Sequence, residues 1–230
     1  MQKKTAASLK NNFDPATSAN IFNWLEGDYD QKTKDTILKQ LQKDPRALSA
    51  AFFQKLAFGT AGARGEMGIG ANRLNNYTIS FMTQGLANYL LKTQQKLRPV
   101  VIGFDNRNHS KEFAQVAAQV LAGNNIPALL FAELRPTPLI SFACRYKNCM
   151  AAIMITASHN PPAYNGFKVY WEDGAQVLPP HDIGIIQEVN QIKGPREVKK
   201  AAPATPLITL LDKEIDQAYL KQLQKLKTTR

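Results

Sequence analysis

The chain has 230 residues, 44% hydrophobic and 20% charged, the balance of an ordinary globular protein with one good core and room to begin another. Its 29 Lys and Arg against 18 Asp and Glu could suit nucleic acid, an anionic membrane surface or acidic small substrates. The lysines are dispersed, and no arginine-rich run, paired zinc ligands or helix-turn-helix spacing accompanies them, so the excess reads as a solvated basic surface without a nucleic-acid partner. Cys144 and Cys149 make neither a disulfide framework nor a zinc set. No apolar signal segment follows the charged N-terminus and no apolar run reaches membrane length, so the expectation is a cytoplasmic protein with no membrane partner and two reduced, partly buried thiols.

Residues 1–56 read as a helical extension. Asp14-Pro15 is a cap followed by proline at the first helical position. A second helix is predicted over Lys32 to Leu41, and a third from Pro45 with Leu48, Phe52, Phe53 and Leu56 on one side. The glycines from Gly59 to Gly70 break this pattern. An alternating rhythm follows: a helix over Asn76 to Leu91, a strand R-P-V-V-I-G-F ending at Asp105, and a helix capped by Ser110 and stopped at Gly123. I-P-A-L-L-F and A-A-I-M-I are further strands. The second of them delivers the loop T-A-S-H-N-P-P-A-Y-N-G, turned at Asn165-Gly166, into a last strand F-K-V-Y-W.

These elements predict an α/β domain over residues 57–192: a mixed, largely parallel sheet with helices on both faces and one antiparallel neighbour, preceded by the N-terminal helices. Residues 193–208, rich in Lys, Pro and Ala, read as a linker. Residues 209–230 read as an amphipathic helix, with Leu211, Ile215, Tyr219, Leu223 and Leu226 at helical spacing, that packs on the domain or opens a further one.

In open sheets of this kind ligands bind beyond the carboxyl ends of the strands. Both G-F-D-N-R and T-A-S-H-N-P lie there. Ser158 sits outside any G-x-S-x-G elbow, and His159, its sequence neighbour, is poorly placed as a triad base, which disfavours acyl transfer. Phosphoryl chemistry fits better, because Lys168, Arg64, Arg107 and the glycine-rich backbone offer cations and amide donors. F-G-T-A-G-A-R-G-E-M-G-I-G matches neither common nucleotide-binding loop, yet its glycines can turn N–H groups toward an anion. Asp105 and Arg107 read as an ion pair bracing the loops, His109 and His181 as local hydrogen-bonding groups.

Taken together, T-A-S-H-N-P with N-G-F-K after it, F-G-T-A-G-A-R-G upstream and G-F-D-N-R-N-H-S between them resemble the first domain of the α-D-phosphohexomutase (phosphoglucomutase/phosphomannomutase) family. W-L-E-G-D, P-T-P-L-I-S-F-A-C-R and D-G-A-Q-V-L-P-P are similar to its phosphoglucomutase and phosphopentomutase branch. The resemblance runs from about residue 20 to residue 225. It implies an isomerase that moves a phosphoryl group between hydroxyls of a phosphorylated hexose or pentose through a phosphoserine. Ser158 would be the carrier, Lys168 and His159 would lie against the phosphate and the reacting hydroxyl, and Lys168 would do general acid/base work. Arg64, Thr60, Asn160, Asp105 and Arg107 would bind or support the phosphate. It also implies Mg²⁺, touched in this chain only through a phosphate on Ser158, and a hexose 1,6-bisphosphate activator.

The departure from the family is length. The D-G-D-x-D-R metal loop and the G-E-x-S-G sugar loop of its later domains do not occur here. The expectation is therefore the N-terminal part of such an enzyme, inactive alone and completed by a companion chain. The alternative is a non-catalytic domain that binds a sugar phosphate or a partner chain.

Overall fold

The structure, a computed structural model, describes Leu9, residues 12–59 and residues 62–226. Leu9 and Asn12 are helical, and three short helices follow: α1 (Pro15–Glu26), α2 (Gln31–Lys43) and α3 (Pro45–Phe52). Each starts at an aspartate whose carboxylate takes up orphan N–H groups of the first turn. Asp14 accepts from Ala16 and Thr17 at 2.9 and 3.0 Å, Asp30 from Thr33 at 2.8 Å, and Asp44 from Ala47 at 3.0 Å. Their inner faces bury Ile21, Trp24, Ile37, Leu48 and Phe52 in one cluster. Phe53, expected to face inward, is 48% exposed, because the helix ends one residue earlier and the chain turns there.

The rest alternates: β1 (Ala63–Glu66), α4 (Asn76–Thr93), β2 (Val100–Phe104), α5 (Ser110–Gly123), β3 (Ala128–Phe131), α6 (Thr137–Tyr146), β4 (Ala151–Ile155), β5 (Tyr164–Trp171), α7 (His181–Gln191), β6 (Ile208–Leu211) and α8 (Lys213–Lys225). The strands form one sheet in the order β1-β5-β4-β2-β3-β6. The β4–β2, β2–β3 and β3–β6 pairs are parallel, while β5 runs antiparallel to both β4 and β1. Alternate residues of the central strands go to opposite faces, and both faces are buried. Val100, Ile102 and Ile153 meet α4 and α5 through Leu86, Phe113 and Ala117. Val101, Ala152 and Met154 meet α6 and α8 through Ile140, Ala143 and Ile215.

Five expectations need correction. Ser110 does not cap α5: it is the first helical residue, preceded by His109 in the left-handed region at φ 61°, and its hydroxyl donates to Asp105 instead. Asn165-Gly166 is no turn. Both residues lie inside β5, opposite Gly65 and Arg64, and the reversal is made earlier, by residues 158–163. The glycine-rich segment contains the short edge strand β1, which its composition hides because the pairing partner β5 supplies the apolar contacts. Leu211 belongs to a strand, and the last helix begins only at Lys213. The two thiols are fully buried rather than partly so, and burial pushes both pKa values up to about 12.

The Lys- and Pro-rich stretch before β6 lies against α4 and α5. The Lys199 N–H donates to Gln84 Oε1 and that of Ala201 to the Gln119 carbonyl, each at 2.9 Å. A Cβ on Gly123 would meet the Lys199 carbonyl at 2.4 Å, so a side chain there would push this stretch away. No described helix is long and apolar enough to cross a membrane.

Candidate active site at the carboxyl edge of the sheet

β2 and β4 are neighbours and parallel, so the loops that follow them leave the sheet side by side. Arg107, three residues beyond the end of β2, reaches into the loop that follows β4. Its Nη2 donates to the carbonyls of Ser158 and Asn160, both at 2.6 Å, and its Nη1 to those of Pro161 and Tyr164, both at 3.0 Å. Nε lies 3.6 Å from Asp105 Oδ2, and the Arg107 side chain is only 12% exposed. Asp105 is in turn held by the Ser110 hydroxyl at 2.8 Å and accepts the Arg107 N–H at 3.0 Å. Behind it, the fully buried Asn165 donates to Ser110 Oγ at 2.9 Å and to the Asn108 carbonyl at 3.0 Å. One hydrogen-bonded chain thus runs from β5 through the start of α5 to the loop.

That frame holds Ser158 on an exposed turn in the left-handed region, at φ 58°, where a non-glycine residue is uncommon. The Thr156 hydroxyl accepts the Ser158 N–H at 2.9 Å. Ser158 Oγ is left facing solvent with His159 Nδ1 at 3.4 Å, the long end of hydrogen-bonding distance.

Two further cations converge on this edge. Arg64 in β1 sits opposite Gly166 and donates from Nη1 to Asn160 Oδ1 at 2.7 Å, which fixes one side of its fork. Lys168 in β5 lies beside Met154 of β4, half-buried, and makes no hydrogen bond or ion pair among the described residues. Burial pushes its pKa down, the Arg64 charge adds to this, and Asp105 opposes it.

Gly62 lets β1 approach so closely. Its φ is 100°, and a Cβ there would lie 2.0 Å from the Phe167 carbonyl. Gly59 and Gly62 exchange N–H···O bonds of 2.8 Å. Thr60, between them in the sequence, lies outside the described residues.

Ser158, His159, Asn160, Arg64 and Lys168 are thus gathered at one edge, with Asp105 and Arg107 beneath them. Arg107 has its donors turned to carbonyls and carboxylate, so the cations left for an anionic ligand are Arg64 and Lys168. Sequence reasoning missed Asn165, Ser110 and Thr156. An Asn-Gly pair in a loop-rich stretch signals a turn, and nothing local marks it as a buried strand residue. Among the described residues no group of three or more His, Cys, Asp or Glu is placed to hold a metal ion.

The family profile described as phosphoglucomutase/phosphomannomutase, alpha/beta/alpha domain I, matches residues 55–196. A phosphopentomutase of Mus musculus is 37% identical over 215 residues, which cover 88% of this chain and 34% of that protein. A phosphoglucomutase of Staphylococcus saprophyticus is 38% identical over 207 residues, covering 88% and 37%. A crystal structure from Thermus thermophilus described as a phosphomannomutase superposes with a TM-score of 0.66 at 28% identity, over 76% of this chain and 37% of that one. The chain therefore spans about a third of the length of the relatives it matches.

Proposed function

The chain belongs to the phosphoglucomutase/phosphomannomutase family, whose domain I it carries at residues 55–196, and we propose that it supplies the phosphoserine half of an intramolecular phosphotransferase for phosphorylated hexoses or pentoses. The observation that carries this reading is an exposed serine on a braced, left-handed turn, with Arg64 anchored on Asn160 of the same turn and Lys168, unbonded among the described residues, within electrostatic reach of Arg64. Ser158 Oγ carries the phosphoryl group. In transfer, a sugar hydroxyl oxygen forms the new bond to phosphorus while the bond from phosphorus to Ser158 Oγ breaks. The proton of that hydroxyl passes through Lys168 to the departing Oγ. An amine whose pKa is lowered by burial takes and returns a proton more readily than a free lysine. Arg64 offers its remaining N–H groups to the phosphoryl oxygens, the fixed positive charge that a loose phosphoryl transition state requires. His159 lies against the same oxygen.

Mg²⁺, which the family likeness suggests, finds no ligand set among the described residues. The chemistry assigned to this chain is charge placement and proton transfer alone. The distal end of the substrate, a bisphosphate activator and the metal are left to other parts of a complete enzyme or to a companion chain.

Intact-mass analysis after incubation with glucose 1,6-bisphosphate tests the reading. The wild-type chain should gain one phosphate and Ser158→Ala none. A wild-type chain that stays unmodified, or a Ser158→Ala chain that still gains the phosphate, overturns it.

A further inference from the structure

Granted that Ser158 is the phosphoryl carrier proposed above, we propose that Asn165 is its positioning residue. The side-chain amide of Asn165 sets the direction of the hydrogen bonds that hold the Ser158 loop, and through them the rate at which Ser158 takes a phosphoryl group. Asn165 lies in β5 opposite Gly65 and is fully buried. Its side chain bonds none of Ser158, His159, Arg64 and Lys168, so it acts through its neighbours.

The orientation of this amide is forced at both ends. Oδ1 faces the Gly166 N–H at 2.8 Å, a group that can only donate, and Nδ2 faces the Asn108 carbonyl at 3.0 Å, which can only accept. The second hydrogen of Nδ2 goes to Ser110 Oγ at 2.9 Å. The buried Ser110 hydroxyl must then turn its own hydrogen away from Asn165, and it meets Asp105 Oδ1 at 2.8 Å. Asp105 is left as an acceptor throughout, for the Arg107 N–H at 3.0 Å and toward Arg107 Nε at 3.6 Å. Arg107 in turn spends Nη1 and Nη2 on four carbonyls between Ser158 and Tyr164. Each link has one donor and one acceptor, and Asn165 fixes which is which. Buried polar groups in such a series have no water to fall back on, so a reversed link is costly.

An aspartate in place of Asn165 keeps the shape and loses the donor. Ionised, it sets an oxygen against the Asn108 carbonyl and draws the Ser110 hydrogen away from Asp105. Protonated, it donates once again. The charged and titratable groups on the elements around it are Asp105 and Arg107 after β2, His109 and Glu112 at the start of α5, and Arg64 and Glu66 on β1. Burial and the carboxylates favour the protonated form, the arginines the ionised one. The acid prevails as pH falls and the carboxylate as it rises, so the defect of Asn165→Asp should grow with pH.

The test follows the single phosphorylation of the full chain by glucose 1,6-bisphosphate, read by intact mass and taken as the ratio of variant to wild-type rate. It is run at about pH 5.5 and about pH 8.5, spanning the range into which burial lifts a carboxylic acid. Asn165→Asp should be slowed by on the order of a hundredfold at the higher pH, the cost of misplacing a reacting group by about 1 Å, and far less at the lower. The half-saturating bisphosphate concentration should not change, because the side chain bonds no group assigned to the ligand. Ser110→Ala, which cuts the next link and adds no titrating group, should be slowed alike at both pH values. Crystals of Asn165→Asp should show the Ser158 turn as in wild type at the lower pH and displaced at the higher. If Asn165→Asp unfolds at the higher pH, Ser110→Ala still decides. A pH-independent ratio for Asn165→Asp, a wild-type rate for Ser110→Ala, or a Ser158 turn that is the same in both crystals would overturn the proposal. If the wild-type chain takes no phosphate, the assignment of Ser158 as carrier falls instead, and the crystals decide whether Asn165 sets the turn.

Discussion

A guanidinium has five N–H donors, and at Arg107 four carbonyls between Ser158 and Tyr164 together with the Asp105 carboxylate occupy its three nitrogens. Arg107→Ala would leave those carbonyls without their donor and Asp105 without its cation, and should cost about 3 kcal/mol in urea unfolding. Arg107→Lys should recover less than half, because an ammonium cannot spread over four acceptors. A change within about 0.5 kcal/mol for Arg107→Ala, the usual range of surface substitutions, would show that the loop holds itself. Lys168 makes the opposite case. Its pKa is lower in the folded chain than in the unfolded one, so the folded state binds that proton less tightly. The charged form therefore opposes folding at neutral pH, and the penalty fades as pH rises toward the ordinary lysine value of about 10.4. Lys168→Met should be at least as stable as wild type at pH 7, with the gap narrowing by pH 10 in paired unfolding curves. It should also slow the single phosphorylation of Ser158 by glucose 1,6-bisphosphate, followed by intact mass, by on the order of 3 kcal/mol in barrier. A variant clearly less stable than wild type at pH 7, or one that transfers phosphate at the wild-type rate, would contradict these roles.

At the scale of elements, the site depends on a strand too short to stand alone. β1 has four residues and a single partner, β5, yet it carries Arg64 to the edge where Asn160 receives it. Its entry is set by Gly62, whose φ of 100° and absent side chain allow contact with the Phe167 carbonyl. Gly62→Ala should force β1 away from β5 and cost about 2 kcal/mol or more, since the backbone there is closed to a Cβ. Amide exchange should then rise in residues 63–66 while β2, β3 and β4 stay protected. Uniform exchange across the sheet, or stability equal to wild type, would refute the assignment. The other elements are locally better determined. α4, for instance, opens on a capping box in which Asn75 and Thr78 satisfy each other's backbone N–H groups.

For the whole molecule, the spans shared with longer relatives raise the question of turnover. The chain covers about a third of their length, and its described residues place no metal ligand set beside Ser158. Among the described residues the cations of this edge, Arg64 and Lys168, lie at the Ser158 end; orienting the hydroxyl through the non-reacting end of a sugar phosphate would need groups from elsewhere, and the serine is exposed to water. The 230-residue chain alone should interconvert glucose 1-phosphate and glucose 6-phosphate at no measurable rate in a coupled assay with glucose 1,6-bisphosphate and Mg²⁺. Turnover near 1 s⁻¹, the low end of ordinary enzyme rates, would mean that a complete site assembles from this chain. The amino-acid sequence by itself determined the class of the fold, the helix starts at Asp14 and Pro45, the central strands, and the motifs around Ser158, Arg64 and Lys168. Those signals are local: a cap, a buried apolar run or a glycine spacing acts within a few residues. Only the tertiary structure decided that Asn165 is a buried strand residue, that Arg107 is consumed in holding the loop, that β1 exists, and that Leu211 ends a sixth strand. Each of those depends on a partner distant in the chain, as Arg107 does on the loop some fifty residues later, and a partner at that distance leaves no periodicity to read.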